Sequence, residues 1–372
     1  VPVPVYFSYS FTSKVPGDMV PAFFSKAMIL FNCDYSEGAH ADILRRMAET
    51  NMEQTAGYGE DPYCDQARKL IAGLCGRTDL DIHFLIGGTQ TNFTVIAAAL
   101  RPHQCVLCAD TGHINVHESG AVEACGHKVS AIPSPDGKLT ARQIEEAWHA
   151  HWDDETREHM PQPRMVYISQ PTELGTIYSR KELQEISGVC RRRGLYLYMD
   201  GARLGYGLCD EDNDLDLPAI ASLCDAFYIG GTKVGALFGE ALVLRHEALK
   251  EDFRYIAKQK GGRLAKGRLL GIQFLELFRD GLYFRLGAHA DRLAVMLRDF
   301  CRSRGLALPF SSGTNQQFVT MPDSVLEELG RKYGFAYLRR EDETHSTVRF
   351  CTSWATREED VRELMADIAR LC

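Results

Sequence analysis

A lysine that follows an apolar run is the first residue in this sequence that could do covalent chemistry. Residues 226–229 are apolar, and the chain then passes through two glycines to Thr232 and Lys233 before a second apolar run at residues 241–244. Burial disfavours the charged form of a lysine, so its pKa falls and the neutral amine can form a Schiff base with a carbonyl compound. A surface lysine in a flexible glycine turn would give the same pattern, so this stretch alone leaves both interpretations open.

Three further polar features follow predicted strands. Asp200, His113 and the glycine turn at residues 87–89 each come just after a short apolar run. In an open α/β sheet, ligands bind at the carboxyl ends of the parallel strands, so we expect these features to lie near Lys233. Taken singly, a buried aspartate is usually satisfied by backbone donors, a lone histidine is more often a core residue, and a glycine turn before a helix is common. Their convergence at one sheet edge favours a shared site.

One cofactor would use all four features. Pyridoxal phosphate needs a lysine for its Schiff base, an anion site for its phosphate and a carboxylate against its ring nitrogen. The helix predicted after residues 87–89 would present its N-terminal N–H groups to a phosphate. Asp200 would keep the ring nitrogen protonated, and His113 would lie flat over the ring. The sequence therefore predicts a pyridoxal phosphate site built on Lys233.

The fold around these residues is predicted by an alternation of strand and helix patterns. Strand-like runs separated mostly by helical patterns between residues 83 and 244 predict an α/β fold with a mostly parallel sheet and helices on both faces. After Lys233, long helical stretches and a few short strands predict a smaller C-terminal α+β domain. We predict three divisions: an N-terminal arm (1–35), a large cofactor-binding domain (36–265) and a small domain (266–372).

Composition argues against several classes of function. The 372-residue chain has a formal net charge of −8, which disfavours a nucleic-acid or anionic-membrane partner. No apolar run reaches the roughly 18 residues that a membrane span requires. The twelve cysteines are scattered, and the single C-x-x-C, at Cys105 and Cys108, lies in a predicted strand. We interpret them as core thiols of a cytoplasmic protein, not as a disulfide framework or a metal site.

With these motifs in place, the chain resembles the low-specificity L-threonine aldolases, which are pyridoxal phosphate enzymes of the aspartate aminotransferase type (fold type I). The resemblance covers residues 32–354 and rests on four motifs: Met-Asp-Gly-Ala-Arg at 199–203, Gly-Gly-Thr-Lys at 230–233, Gly-Gly-Thr-Gln-Thr-Asn at 87–92 and His-Ile-Asn-Val-His-Glu at 113–118. It implies that Lys233 carries the cofactor as a Schiff base, Asp200 holds the ring nitrogen and His113 stacks on the ring. The other implied cofactor contacts are Gly88, Thr89, Gln90, Ala202 and Thr232.

The same resemblance implies how a substrate amino acid is held. Arg203 and Arg349 would grip its carboxylate, with which a planar guanidinium can pair through two hydrogen bonds. Ser36 matches the N-terminal serine of these enzymes. Tyr58 matches a tyrosine that reaches into a neighbouring subunit's site, so a homodimer or homotetramer with shared sites is expected. There is one departure: bacterial members carry Glu-Asn-Thr-His-Asn after the central strand, and Thr172 stands where their histidine contacts the substrate hydroxyl.

The implied reaction is cleavage of L-threonine, L-allo-threonine and related β-hydroxy amino acids into glycine and an aldehyde, without a metal. As the base that takes the β-hydroxyl proton, the sequence favours His113, with Glu118 second. Three alternatives stay open: a β-eliminating lyase or aminotransferase with the same cofactor, a nucleotide-dependent oxidoreductase, and a non-enzymatic protein that keeps the fold. The second is disfavoured because no G-x-G-x-x-G follows the first strand, and the third because Lys233 and Asp200 are both present.

Overall fold

The computed structural model describes residues 28–372, so most of the predicted N-terminal arm lies outside the described residues. The strands are β1 (Ile29–Leu30), β2 (Asp81–Leu85), β3 (Gln104–Ala109), β4 (Lys128–Ile132), β5 (Gln162–Ser169), β6 (Tyr196–Asp200), β7 (Ala226–Gly230), β8 (Glu240–Leu244), β9 (Gln316–Pro322), β10 (Tyr333–Gly334), β11 (Ala336–Arg340) and β12 (His345–Cys351). The helices are α1 (Ala41–Glu49), α2 (Pro62–Leu74), α3 (Gly88–Ala99), α4 (His113–Val116), α5 (Ala121–Ala124), α6 (Ala141–Trp152), α7 (Arg180–Arg193), α8 (Leu204–Cys209), α9 (Leu217–Leu223), α10 (Glu247–Lys250), α11 (Phe253–Gln259), α12 (Arg268–Arg279), α13 (Leu282–Ser303), α14 (Asp323–Gly330) and α15 (Glu358–Leu371), with a 3-10 turn at Arg157–His159.

The large sheet has seven strands in the order β2-β8-β7-β6-β5-β3-β4. The strands from β7 to β4 pair in parallel, whereas β8 runs antiparallel between β2 and β7. The predicted mostly parallel sheet is confirmed. Because β2 runs in the same direction as β7, the carboxyl ends of β2, β3, β5, β6 and β7 meet at one edge, together with the amino end of β8.

Helices cover both faces of this sheet. One face packs against α2, α7, α9 and α12 and buries Ile71, Ile186 and Phe274 among other apolar side chains. The other face packs against α3 and α11 and buries Ile96 and Phe253. Strands β3, β7 and β8 are buried along their whole length, which is why they read as continuous apolar runs and not as alternating ones.

The helix boundaries follow from capping residues in the sequence. The side chain of Asp61 accepts hydrogen bonds from the first turn of α2, and Pro62 occupies a first-turn position where a backbone N–H is not needed. Ser179 and Glu182 form a reciprocal capping box at the start of α7, and Gly194 ends that helix with a positive φ of 65°. These capping residues explain why α2 and α7 begin where they do and why α7 ends at Arg193.

The small domain is built on the antiparallel sheet β11-β12-β9, against which α13, α14 and α15 pack. Helix α13 is 22 residues long; Leu286, near its start, lies in the core of the large sheet, and Leu297 lies in the core of the small one. Strand β1 pairs in parallel with β10, and Phe31 joins the small core. The predicted division after residue 265 falls between α11 and α12, and α12 itself packs on the large sheet.

All twelve cysteines are free thiols, and most are buried. Cys105 and Cys108 lie in β3, and burial raises the pKa of the Cys108 thiol to about 12. Residues 28–372 contain no group of three or more side chains suited to holding a metal ion. In the same part of the chain, no helix combines the length and the apolar character that crossing a membrane requires.

Candidate active site

A cleft of about 860 Å³ opens at the sheet edge where the strands end, and that volume suits a cofactor together with a small substrate. The structure brings most of the predicted site residues together there: Gly88, Thr89, His113, Asp200, Ala202, Arg203, Thr232, Lys233 and Arg349 all line it. The side chains come from the ends of β2, β3, β6 and β7 and from β12 of the small sheet. The convergence expected from strand direction is therefore present.

Lys233 lies in the loop between β7 and β8. Its amine makes no hydrogen bond or ion pair with any residue that the structure describes. Burial lowers the pKa of Lys233, and the charge of Arg203 lowers it further. The end of β7 can pack closely against Ala202, just before this loop, because Gly230 has no side chain: a Cβ at that position would lie 2.3 Å from the carbonyl oxygen of Ala202. The sequence thus places an unpaired, partly desolvated amine in the cleft.

Glu240, the first residue of β8, forms hydrogen bonds with the loop that carries Lys233. Its carboxylate accepts hydrogen bonds from the Gly231 backbone N–H at 3.1 Å and from the Thr232 hydroxyl at 2.8 Å. Burial raises the pKa of Glu240, although these hydrogen bonds and the charge of Lys233 act in the opposite direction. Glu240 therefore fixes the backbone that carries Lys233, a role that the sequence analysis did not identify.

Asp200 ends β6 and is almost completely buried. Its Oδ1 accepts hydrogen bonds from the Ala202 N–H at 2.9 Å and the Tyr228 hydroxyl at 2.5 Å. Its Oδ2 accepts from the Tyr167 hydroxyl at 2.6 Å and from Asn92 Nδ2 at 3.0 Å. Burial alone would raise the pKa of Asp200, but His113 in its protonated form and the hydrogen bonds from Tyr167, Tyr228 and Ala202 lower it overall. The group is thus a buried carboxylate held in its ionised form.

The glycine turn after β2 leads into α3. Helix α3 begins at Gly88 after the N-cap residue Gly87, and no side chain caps its free N–H groups. Those groups and the helix dipole form an anion site that faces the cleft. Gln90 does not line the cleft: its Oε1 accepts from the Ile86 N–H at 3.2 Å and its Nε2 donates to the Lys260 carbonyl at 3.1 Å. Gln90 therefore braces the turn instead of contacting a ligand in the cleft.

His113 begins α4 and is held by two acids. Its Nδ1 lies 2.8 Å from Glu118 Oε1, and its backbone N–H donates to Glu173 Oε1 at 3.0 Å. The same Glu118 oxygen accepts from Asn92 Nδ2 at 2.7 Å, and that nitrogen also donates to Asp200. A continuous hydrogen-bonded network therefore links His113 to Asp200 through Glu118 and Asn92.

The two predicted carboxylate-binding arginines differ in their pairing. Arg203 already forms two hydrogen bonds with the fully buried carboxylate of Asp34, at 2.8 and 3.1 Å. Among residues 28–372, Arg349 donates only to neutral acceptors, the Gln316 side chain and the Asn32 carbonyl, both at 2.9 Å, and its buried Nε has no partner. Arg349 thus brings an uncompensated positive charge to the cleft, whereas the charge of Arg203 is balanced.

The family follows from comparison with known proteins. A family model described as beta-eliminating lyase matches residues 33–324. The chain belongs to the beta-eliminating lyase family. Among its curated relatives, a low-specificity L-threonine aldolase from a Pseudomonas species is 33% identical over 353 residues, which covers 91% of this chain and 96% of that protein. A second one, from Pseudomonas aeruginosa, is 32% identical over 342 residues, with the same two coverages of 91% and 96%.

Two solved structures resemble this protein. This beta-eliminating lyase resembles a threonine aldolase of Leishmania major with a TM-score of 0.90 and 45% identity, over 92% of this chain and 99% of that one. It resembles an aspartate aminotransferase of Thermus thermophilus with a TM-score of 0.67 at 15% identity, over 93% and 92% of the two chains. The second likeness shows the fold alone and confirms the predicted fold type I architecture.

Beta-eliminating lyases of this fold use pyridoxal phosphate, and the residues present fit that group. The Lys233 amine has no competing partner among the described residues, and Asp200 is kept ionised where a ring nitrogen needs a negative charge. The uncapped start of α3 supplies N–H donors for a phosphate. A lysine, a carboxylate and an anion site in one cleft form the donor set that this cofactor requires.

Three predicted substrate contacts lie outside the cleft of this lyase. Ser36 is exposed, with its Oγ 3.2 Å from Cys33 Sγ. Thr172 is buried and turned away: its Oγ1 lies 2.7 Å from that of Thr176, so it does not replace the histidine of the bacterial motif. Tyr58 lies in a separate surface pocket, where its ring is 4.3 Å from the Lys258 amine; its predicted role concerns a neighbouring subunit and stays a prediction.

Several supporting residues of the site were not predicted from the sequence. They are Asp34, Tyr167, Glu173, Tyr228 and Glu240. A signal was present for three of them: Tyr167, Tyr228 and Glu240 lie inside otherwise apolar strands, where a buried polar group needs a partner. Asp34 and Glu173 lie in loops, where the sequence carries no such signal.

Proposed function

We propose that this enzyme cleaves L-threonine, L-allo-threonine and related β-hydroxy amino acids into glycine and an aldehyde. The observation that carries the proposal is the uncompensated guanidinium of Arg349, which shares the cleft with Lys233 and Asp200. It gives an amino-acid carboxylate a place to bind beside the cofactor lysine. The curated relatives named as low-specificity L-threonine aldolases support the choice of reaction within the lyase family.

Each part of the chemistry has a residue suited to it. When bound, pyridoxal phosphate supplies a carbonyl carbon for an amine and a conjugated ring that accepts an electron pair when a bond to Cα breaks. Burial and the charge of Arg203 lower the pKa of Lys233, which makes its neutral, nucleophilic form easier to reach. Asp200 keeps a negative charge in the cleft, and this charge would hold a proton on the ring nitrogen of the bound cofactor.

Arg349 decides which bond breaks. A guanidinium that binds the substrate carboxylate fixes the rotation about the substrate N–Cα bond. It thereby selects which bond to Cα is aligned for cleavage. The Gln316 and Asn32 contacts hold that guanidinium in position before the substrate arrives. Arg203 lines the same cleft as Arg349, but its ion pair with Asp34 adds no net charge there. The carboxylate is therefore drawn to Arg349 first.

The test is product analysis with purified holoenzyme. Wild type should release acetaldehyde and glycine in equal amounts from L-threonine and benzaldehyde from phenylserine. Lys233→Ala should abolish both activities and the borohydride-reducible Schiff base, whereas Lys181→Ala, at a solvent-exposed lysine of α7, should change neither. Release of ammonia and a keto acid, or amino transfer to an added keto acid, in place of aldehyde release would contradict the proposal in favour of elimination or transamination.

We also propose that the enzyme works in the cytoplasm as a homodimer or homotetramer whose subunits share sites. Tyr58 is 45% exposed at a positive φ of 58°, beside the cationic side chains of Lys258 and Arg263 and outside its own cleft. Mixing the inactive variants Lys233→Ala and Tyr58→Ala should then restore activity in hybrid oligomers. Absence of complementation, or a monomer in light scattering, would contradict shared sites. The free cysteines are in keeping with a reducing compartment.

A further inference from the structure

We infer that His117 is the base that takes the proton from the substrate β-hydroxyl. This inference rests on the proposed aldol cleavage and names the residue that the cleavage requires. His117 directly follows α4, one helical turn after His113, and its side chain lines the same cleft as Lys233 and Arg349. Neither the sequence motifs nor the cofactor assignment gave it a role.

The two bases favoured by the sequence are engaged elsewhere. The ring of His113 is tied to Glu118 through Nδ1 at 2.8 Å. If it lies flat over the cofactor, both of its nitrogens point sideways, parallel to the cofactor plane. Glu118 is fully buried, does not line the cleft and accepts from both His113 and Asn92. A lone pair on His113 Nε2 would lie in the plane of that ring, and Glu118 does not line the cleft, so neither group is directed at a substrate hydroxyl above the cofactor.

His117 has the properties that they lack. Its imidazole is exposed to the cleft, makes no side-chain hydrogen bond to any of residues 28–372, and contacts the His113 ring at a centroid distance of 5.5 Å. Partial desolvation lowers the pKa of His117, and the charges of Arg349 and Arg203, together with those of His113 and Lys233 in their protonated forms, lower it further. A neutral, unpartnered imidazole in the cleft is what a general base for a hydroxyl requires.

The proton balance of the step is simple. A neutral ring nitrogen of His117 takes the hydroxyl proton, the O–H electron pair forms the aldehyde C=O bond, and the Cα–Cβ bond breaks. The electron pair of that bond stays with the glycine fragment until Cα takes up a proton. His117 then returns its proton to solvent through the open side of the cleft. No oxidant, reductant or metal takes part.

The experiment compares two reactions of the same holoenzyme. Cleavage of L-threonine needs a hydroxyl base, whereas exchange of the glycine α-proton in D₂O does not. His117→Asn and His117→Phe should lower kcat for cleavage about 10²- to 10⁴-fold while leaving the glycine exchange within about threefold of wild type. His103→Asn is the matched control, because His103 is exposed at the opposite end of β3. Added imidazole should restore part of the cleavage in His117→Ala.

A second readout does not depend on turnover. In holoenzyme labelled at histidine, the imidazole signal that disappears in His117→Asn should titrate below the ordinary pKa of 6.5. The inference is overturned if that signal titrates above 6.5, if both variants keep cleavage within about threefold of wild type, or if cleavage and glycine exchange fall together. If wild type exchanges the glycine proton but releases no aldehyde from any β-hydroxy amino acid, the proposed function fails, and this inference fails with it.

Discussion

Removing the acid partner of Arg203 should destabilise the fold far more than removing an exposed acid. Asp34 is fully buried, and Arg203 is exposed only to 11%. Burial raises the pKa of Asp34, but the charge and hydrogen bonds of Arg203 lower it overall from 3.8 to about 2. A pKa lowered by that amount corresponds to about 2.5 kcal/mol of folding free energy at neutral pH.

The change Asp34→Asn keeps the shape of the side chain but leaves the Arg203 charge buried without a counter-charge. Breaking a buried ion pair on one side costs roughly 3–5 kcal/mol, and an asparagine oxygen still accepts one hydrogen bond, so we expect a loss of about 3 kcal/mol. The direction of the pH dependence follows from the lowered pKa of Asp34. The stabilisation from its ionised carboxylate is complete above pH 3.8 and is lost as the pH falls towards 2. Wild type and Asp34→Asn should therefore converge in stability at low pH.

The assay is urea unfolding of the holoenzyme, followed by circular dichroism from pH 7 downward. Glu146→Gln is the matched control, because Glu146 pairs with Arg142 at 2.7 Å but both side chains are more than half exposed. Its effect should stay within about 0.5 kcal/mol. A loss below about 1 kcal/mol for Asp34→Asn at pH 7, or a difference that does not shrink in acid, would refute the reasoning.

Three further changes test the site. Arg349→Ala should raise KM for L-threonine about ten- to a hundredfold without altering the cofactor absorbance, since it removes charge-assisted hydrogen bonds worth about 1.5–3 kcal/mol; an unchanged KM would contradict its role. Asp200→Asn should slow cleavage far more than it weakens cofactor binding, and equal turnover would remove Asp200 from the mechanism. Gly230→Ala should lower the melting temperature and the yield of the Lys233 Schiff base, because the new Cβ would lie 2.3 Å from the Ala202 carbonyl oxygen; Gly38→Ala, with no atom within 4 Å, is the control and should do neither.

The sequence predicted the sheet well because its central strands are buried on both faces. Continuous apolar runs, such as residues 226–229, identify such strands directly, and capping residues mark the helices between them. The direction of β8 and the pairing of β1 with β10 could not be predicted. Hydrophobic pattern reveals that a strand is buried, but it carries no information about its neighbour or its direction.

Some residues of the site could likewise be predicted from the sequence, and others could not. Lys233, Asp200 and the glycine turn were predictable because each follows a strand whose end lies at a known edge. The Arg203–Asp34 pair was not, because its members lie 169 positions apart and meet only when the fold is complete. Thr172 shows the converse: its place in the sequence matches a substrate contact, but its hydroxyl bonds to Thr176 and it does not line the cleft.

Asn92 explains why the motif at residues 87–92 continues past the glycine turn into the first turn of α3. Its Nδ2 donates to both Glu118 and Asp200, and its Oδ1 accepts from the Tyr198 hydroxyl at 2.8 Å, which fixes the orientation of the amide. Glu118 holds His113, so one amide group sets both the ring predicted to lie over the cofactor and the carboxylate predicted to lie at its edge. The motif at residues 87–92 therefore does two things: its start offers N–H donors to a phosphate, and its end ties together the residues that govern the cofactor ring.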